Sequence, residues 1–277
     1  MEIGVCVSKP SFTPQRRRPR GFAGRLAKEK EAKQLLAAKD RLIVALDVDT
    51  AQEAEMLVAQ LQEHVGVFKV GMQLFNSEGP EVLKRLHSLG TRIFLDLKLH
   101  DIPNTVGQAS AVLTGHGVYM FNVHTAGGKE MMEAAVRASV ETASSLNLPR
   151  PLVIGVTVLT SINEEILRNE MGIDRTVEEQ VVKWAKLAKE SGLNGVVASP
   201  REIRVIRETC GNDFVIVTPG VRPAWSAKND QKRVMTPKEA VEAGASYLVV
   251  GRPITAANDP VEAAKRIVAE MEEGLKC

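Results

Sequence analysis

Arg92-Ile93-Phe94-Leu95-Asp96-Leu97-Lys98-Leu99-His100-Asp101-Ile102-Pro103-Asn104-Thr105 is the stretch from which the rest of the chain can be read. As a β-strand, its period-two alternation places Phe94, Asp96 and Lys98 on one face and Leu95, Leu97 and Leu99 on the other. A carboxylate and an ammonium therefore project side by side from the end of an otherwise apolar strand. Burying such a pair costs several kcal/mol per ion before any attraction is recovered, so packing alone gives little reason for it. An exposed salt bridge would account for one Asp and one Lys. It does not account for matching charges at other strand ends.

From Arg41 onward, short β-branched or apolar runs alternate with amphipathic segments. The expected strands are Leu42–Leu46, Val67–Val70, Ile93–Lys98, Tyr119–His124, Leu152–Val158, Gly195–Ala198, Phe214–Thr218 and Tyr247–Val250. Helical spacing is expected over Ala51–Glu63, Glu78–Ser88, Lys129–Ser145, Val177–Ser191, Pro237–Ala243 and Pro260–Glu273. Eight strands each followed by a helix fit an α/β fold, a single closed (β/α)8 barrel of the TIM type. An open doubly wound sheet would carry a Gly-rich first turn, whereas Asp47-Val48-Asp49-Thr50 has no glycine.

Active sites of such barrels lie at the C-terminal ends of the strands. The first strand ends at Asp47, on the face of Ala45, and the second presents Lys69 on the face of Val67. With Asp96 and Lys98 from the third, four charges of alternating sign point toward one mouth. Asp47 as a turn former and Lys69 as a snorkelling end residue are bland explanations of each alone. Four at one level favour a functional reading. At the other side, Thr218-Pro219-Gly220-Val221-Arg222-Pro223 and Val250-Gly251-Arg252-Pro253-Ile254 close the last two strands. Glycines there let backbone amides approach an anion, and Arg252 adds a planar donor fork. Barrels often hold phosphate at these loops, and Ala224–Arg233, with Gln231, is long enough to fold over it as a lid. Asp101, just before Pro103, reads equally as a helix N-terminal residue facing orphan amides. Among the histidines, His124, ending the fourth strand, is the one expected to border the site.

The composition is that of an ordinary globular protein, with 44% hydrophobic and 25% charged residues among 277. No apolar run approaches the roughly 20 residues that span a bilayer, so no membrane partner is expected. Cys6, Cys210 and Cys277 are odd in number and scattered, which fits a reducing, cytoplasmic setting. No His or Cys spacing suggests a metal site. Residues 1–40 hold 10 Lys/Arg against 4 Asp/Glu, leaving 26 against 30 for residues 41–277. The first 40 residues thus read as a basic, flexible extension, with a polar helix from about Gly24 to Lys39, ahead of a mildly acidic barrel over 41–277. The extension lacks the apolar core of a secretory signal, though its basic character leaves organellar targeting open. A nucleic-acid tether is a further reading, but the acidic barrel offers no second basic surface, so nucleic acid is not an expected partner.

From Arg41 to the C-terminus the chain resembles the orotidine 5′-monophosphate decarboxylase family. The resemblance rests on Val44-Ala45-Leu46-Asp47, Phe68-Lys69-Val70-Gly71, Asp96 through Val106, Val156-Thr157-Val158-Leu159-Thr160-Ser161, Thr218 through Pro223, Asp230-Gln231-Lys232-Arg233-Val234 and Val250 through Ile254. It implies decarboxylation of orotidine 5′-monophosphate (OMP) to UMP and CO2, the last step of de novo UMP synthesis, with no cofactor and no metal. By the same resemblance, Lys98 would deliver a proton to C6 of the pyrimidine and Asp96 would press on the substrate carboxylate. Lys69 and Asp47 would hold the ribose and the charge network. Asp101 would reach the neighbouring subunit's site in a homodimer, with Ile102 and Thr105 nearby. Thr160, with Ser161, would face the pyrimidine, and Gln231, Arg222, Gly251 and Arg252 would grip the phosphate. Hexulose-phosphate synthases and keto-gulonate-phosphate decarboxylases of the same barrel group use Mg2+ and place an acid where Lys69 stands. A lysine there replaces a needed ligand with a repelling charge.

Overall fold

Strands covered on both faces carry apolar residues at nearly every position, and the eight apolar runs of this chain pair on that basis. The computed structural model describes residues 36–225 and 235–276. Its strands are Leu42–Ala45 (β1), Val67–Gly71 (β2), Ile93–Leu99 (β3), Met120–His124 (β4), Leu152–Val156 (β5), Gly195–Val197 (β6), Val215–Pro219 (β7) and Tyr247–Val250 (β8). All neighbours are parallel and β8 returns to β1, closing the barrel in sequence order. Closure leaves no sheet edge to protect. Residues 1–35 of the basic extension, with all but the last four residues of its expected helix, lie outside the described residues, as do Gln231 and most of the expected lid. The end of that expected helix falls in a 3-10 turn, Ala38–Arg41.

Alternation sorts each strand between two environments. Leu42, Val44, Phe68, Val70, Ile93, Leu95, Phe121, Val123, Ile216 and Leu248 belong to the core between sheet and helices. Ile43, Ala45, Val67, Phe94, Met120, Val217 and Val249 are equally buried but stand outside that core, filling the barrel's interior. Lys69, Asp96 and Asn122 continue the inward set at the C-terminal ends. The N-terminal end is closed by Tyr119 and Tyr247, whose hydroxyls meet at 2.6 Å. Arg92 lies over the Tyr119 ring and donates to Asp40 at 2.8 Å.

Most element boundaries fall within two residues of expectation, and two of the differences have a clear local cause. The segment expected as one helix from Glu78 to Ser88 starts at Glu81, after a separate helix, Met72–Glu78. Gly79 separates them with φ +67, a left-handed conformation that ends a helix at no side-chain cost. The fifth strand ends at Val156 rather than Val158, and Thr157 reaches the next strand with its hydroxyl, which donates to the Val197 carbonyl at 2.9 Å.

Gly195 shows how tightly the barrel closes. It pairs with Val215, and a Cβ built on it would lie 2.6 Å from both the carbonyl carbon and the Cβ of Val215. Relief requires a backbone shift between two strands. Gly195→Ala is therefore expected to lower stability by at least about 1–3 kcal/mol, read as a fall in the denaturant midpoint at unchanged slope. An unchanged midpoint would show that the barrel yields at this seam.

Candidate active site

At the mouth, the inward residues of β1, β2 and β3 form a continuous ionic chain. Lys69 Nζ donates to Asp47 Oδ1 at 3.2 Å and stands 3.6 Å from Asp96 Oδ2. Lys98 Nζ donates to Asp96 Oδ1 at 2.7 Å. Exposure of the side chains grades along the chain, from 60% at Asp47 to 11% at Lys69 and 15% at Asp96. The Asp47 end is a surface pair, worth little to stability. The Asp96 end is withdrawn from water, so its charge depends on its partners.

Burial pushes the Asp96 carboxyl up. Lys69 and then Lys98, with hydrogen bonds from Lys98 and Asn122, outweigh that effect and hold it below the usual carboxylate range. Asp96 is thus an anion fixed between two ammonium groups. Glycines leave room around the outer pair. A Cβ on Gly71 would lie 3.0 Å from Lys69 Nζ, and one on Gly251 would lie 3.7 Å from Asp47 Oδ2. The latter contact brings the end of β8 against the end of β1.

Lys98 reaches its place through an irregular strand rather than by simple alternation. Leu95 pairs with Phe121, but the next register partner of β4, Val123, meets Leu99, so β3 carries two extra residues. Lys98 adopts φ +55 within this bulge, a conformation that costs a residue with a Cβ about 1–2 kcal/mol. Asn122 spans the irregularity. Its Oδ1 accepts the Lys98 N–H at 2.8 Å and its Nδ2 donates to Asp96 Oδ1 at 2.7 Å. Reading the sequence by charge passed over Asn122. The available signal was its place in Met120-Phe121-Asn122-Val123-His124, where an amide shares the inward face with His124.

The other expected residues fall in separate places. Asp101, Ile102 and Thr105 are exposed where the helix Pro103–Gly115 begins. Asp101 does not cap that helix. Ile102 occupies the cap position, and the Asp101 carboxylate accepts the Ile102 N–H at 2.6 Å. Thr160 lines a cleft with Ser199, Pro219, Gly220 and Met235, between the loops after β5, β6 and β7. Arg222 follows β7, its backbone N–H bonded to the Met235 carbonyl at 3.0 Å. Arg252 is exposed directly after β8. His124 does border the charges. Its ring lies 5.3 Å from that of His100, and it feels both Lys98 and Asp96. Among the described residues, no group of three or more His, Cys, Asp or Glu is placed to hold a metal ion.

Residues 40–267 match the family model described as "Orotidine 5'-phosphate decarboxylase / HUMPS family". The chain is 60% identical over 235 residues to "Orotidine 5'-phosphate decarboxylase" of Moorella thermoacetica, covering 85% of this chain and 93% of that one. It is 58% identical over 240 residues to the protein of the same name from Heliobacterium modesticaldum, covering 87% and 99% respectively. The crystal structure of orotidine 5'-phosphate decarboxylase from Lactobacillus acidophilus superposes with a TM-score of 0.75 at 42% identity. That match covers 83% of this chain and 98% of that one.

The histidine beside the ionic chain yields a prediction for stability against pH. Burial, then the His100 ring and Lys98, push the His124 imidazole below its ordinary value of 6.5, and Asp96 opposes them. A group whose folded pKa is depressed stabilises the fold fully above its unfolded value and loses that contribution as pH falls through the folded one. His124→Gln should therefore lose less in Tm than the parent protein between about pH 7 and about pH 5. Equal losses would show that the imidazole does not carry this cost.

Proposed function

The chain belongs to the orotidine 5′-phosphate decarboxylase / HUMPS family, and we propose that it decarboxylates OMP to UMP and CO2, completing UMP synthesis. The observation that carries this reading is the Asp47–Lys69–Asp96–Lys98 chain, with an ionised Asp96 held between two lysines.

The chemistry follows from the charges. In the substrate, the bond between C6 of the pyrimidine and its carboxylate must break, leaving the electron pair on C6. Asp96, anionic where the carboxylate would lie, disfavours that group's charge and favours its departure as neutral CO2. Lys98 Nζ faces the developing carbanion, stabilises it and gives it a proton, so the product is UMP. No hydride or external electron pair is required. Lys69 and Asp47 hold the ribose hydroxyls and keep the network in register. Thr160 faces the pyrimidine from the cleft after β5.

Arg222, Gly251 and Arg252 grip the phosphate at the far side of the mouth, and the family resemblance adds Gln231, which lies outside the described residues. Binding there supplies the energy that presses the substrate carboxylate toward Asp96. Asp101, with Ile102 and Thr105, serves the neighbouring site of a homodimer. That assignment is supported by an exposed apolar Ile102, at 65%, beside a carboxylate that caps no helix. The metal-assisted chemistry of related barrels fits poorly, because Lys69 places an ammonium between Asp47 and Asp96. A cytoplasmic location agrees with the buried free thiol of Cys210. No helix among the described residues is long and apolar enough to cross a membrane.

Loss of OMP absorbance on adding the pure, full-length protein tests the reading directly, and activity should persist in EDTA. Lys98→Ala should lower kcat by at least about 10²–10⁴-fold while UMP still binds. Retained turnover in that variant would overturn the assignment. Sharing of sites has its own test. Mixing Asp96→Ala with Asp101→Ala should restore about a quarter of wild-type activity, since each hybrid dimer regains one complete site. No recovery, with subunit exchange verified, would rule out the shared arrangement.

A further inference from the structure

The carboxamide of Asn122 is the one neutral group in the ionic chain, and both of its polar atoms are committed there. Oδ1 accepts the backbone N–H of Lys98 at 2.8 Å and Nδ2 donates to Asp96 Oδ1 at 2.7 Å. The residue is 1% exposed, so neither bond has water as a substitute. Its orientation is dictated by chemistry. Turned over, the amide would set N–H against N–H at Lys98 and oxygen against oxygen at Asp96.

The position explains why an amide is needed. Two extra residues in β3 between Leu95 and Leu99 leave Lys98 out of the ladder with β4, in a left-handed conformation at φ +55. Asn122 lies between Phe121 and Val123, the two β4 residues that flank this gap. A planar group with one acceptor and one donor bridges the two inward residues of the bulge at once. Serine is too short to reach both, and an aliphatic side chain would leave a buried N–H and a carboxylate oxygen unmet.

We propose that Asn122 is a positioning residue for the decarboxylation, setting the distance and facing of Lys98 and Asp96 by locking the bulge between them. The proposal rests on the decarboxylase reading for its effect on rate, though not for its effect on Asp96 itself. Reacting groups held by such second contacts lose rate steeply when misplaced by about 1 Å, while binding made elsewhere on the ligand survives.

The charged groups facing Asp96 are Lys69 from β2 and Lys98 from its own strand. Asp47 lies beyond Lys69, with His124 and His100 beside Lys98. None of these changes in the variants used as the test. Asn122→Ala should lower kcat for OMP by about 10–100-fold, with KM for OMP and Kd for UMP within about threefold of the parent. Asn122→Asp is nearly isosteric and guards against simple misfolding. Its introduced carboxyl can imitate the amide only when protonated, since a second anion would otherwise abut Asp96 Oδ1. Its kcat relative to the parent should therefore be highest at the acid end of the profile and fall as pH rises. Unchanged kcat in Asn122→Ala, a loss confined to KM, or an Asn122→Asp profile parallel to the parent's would each overturn the proposal.

A readout independent of turnover separates this inference from the functional reading. The carboxyl of Asp96, followed by 13C NMR in the full-length protein, should titrate at higher pH in Asn122→Ala than in the parent. No change in that titration would overturn the proposal even if OMP is the substrate. If the parent fails to act on OMP but the titration moves, the functional reading falls and the positioning of Asp96 stands.

Discussion

Withdrawing a carboxylate from water destabilises a fold by several kcal/mol unless its charge is met by well-placed partners. Asp96 is withdrawn to 15% side-chain exposure, and its two oxygens are met from three different strands. Lys98 from β3 and Asn122 from β4 donate to Oδ1, while Lys69 from β2 stands against Oδ2. The set that keeps Asp96 ionised therefore also ties three neighbouring strands at their C-terminal ends. The surrounding features follow from it. Asp47 shares Lys69, Gly71 and Gly251 leave the room that the Asp47–Lys69 pair occupies, and the bulge in β3 turns Lys98 toward its carboxylate.

Both ends of the barrel carry polar networks, but of different chemical character. At the N-terminal end Arg207 donates to the carbonyls of Gly244 and Phe214 and to the Ser246 hydroxyl, and Arg92 donates to Gly66 and Asp40. Guanidinium groups keep their protons at any ordinary pH and hold several acceptors in a fixed plane, so they serve as clamps. At the C-terminal end the cations that touch Asp96 are lysines, Lys69 and Lys98, whose ammonium can release a proton to a reacting carbon. The guanidinium groups at the base thus serve as support, while the ammonium groups around Asp96 suit proton transfer.

Much of this was legible in the sequence, and the two exceptions at the site share a cause. Strand order and inward facing followed from alternation because every strand is parallel and covered on both faces, so each apolar run had one interpretation. Asp47, Lys69, Asp96 and Lys98 stood out because charges at the ends of such runs are costly to place. What alternation could not show is that Lys98 leaves the regular strand. The two extra residues of the bulge are visible only as a register shift against β4, a relation between distant parts of the chain. Asn122 was hidden for the same reason. An uncharged amide in a strand carries no signal until its partners, 24 and 26 residues earlier, are known. Glu78–Ser88 failed locally instead, at Gly79, where helical spacing continued across a residue whose φ is positive.

The charge balance of the mouth bears on how an anionic substrate could be accepted at all. Two lysines and two aspartates give the quartet no net attraction for an anion, and Asp96 repels a carboxylate placed beside it. Attraction has to come from outside the quartet. On the proposed reading Arg222 after β7 and Arg252 after β8 supply it, and Gly251 brings the β8 end against Asp47. On the proposed chemistry, affinity and reactivity therefore belong to different strands of one ring. In that proposal phosphate held at β7 and β8 seats the carboxylate against Asp96, and the rigidity of Asp96 turns that seating into reaction rather than rearrangement. A softer carboxylate would move away from the incoming charge. The bonds from Lys98 and Asn122 deny Asp96 that escape.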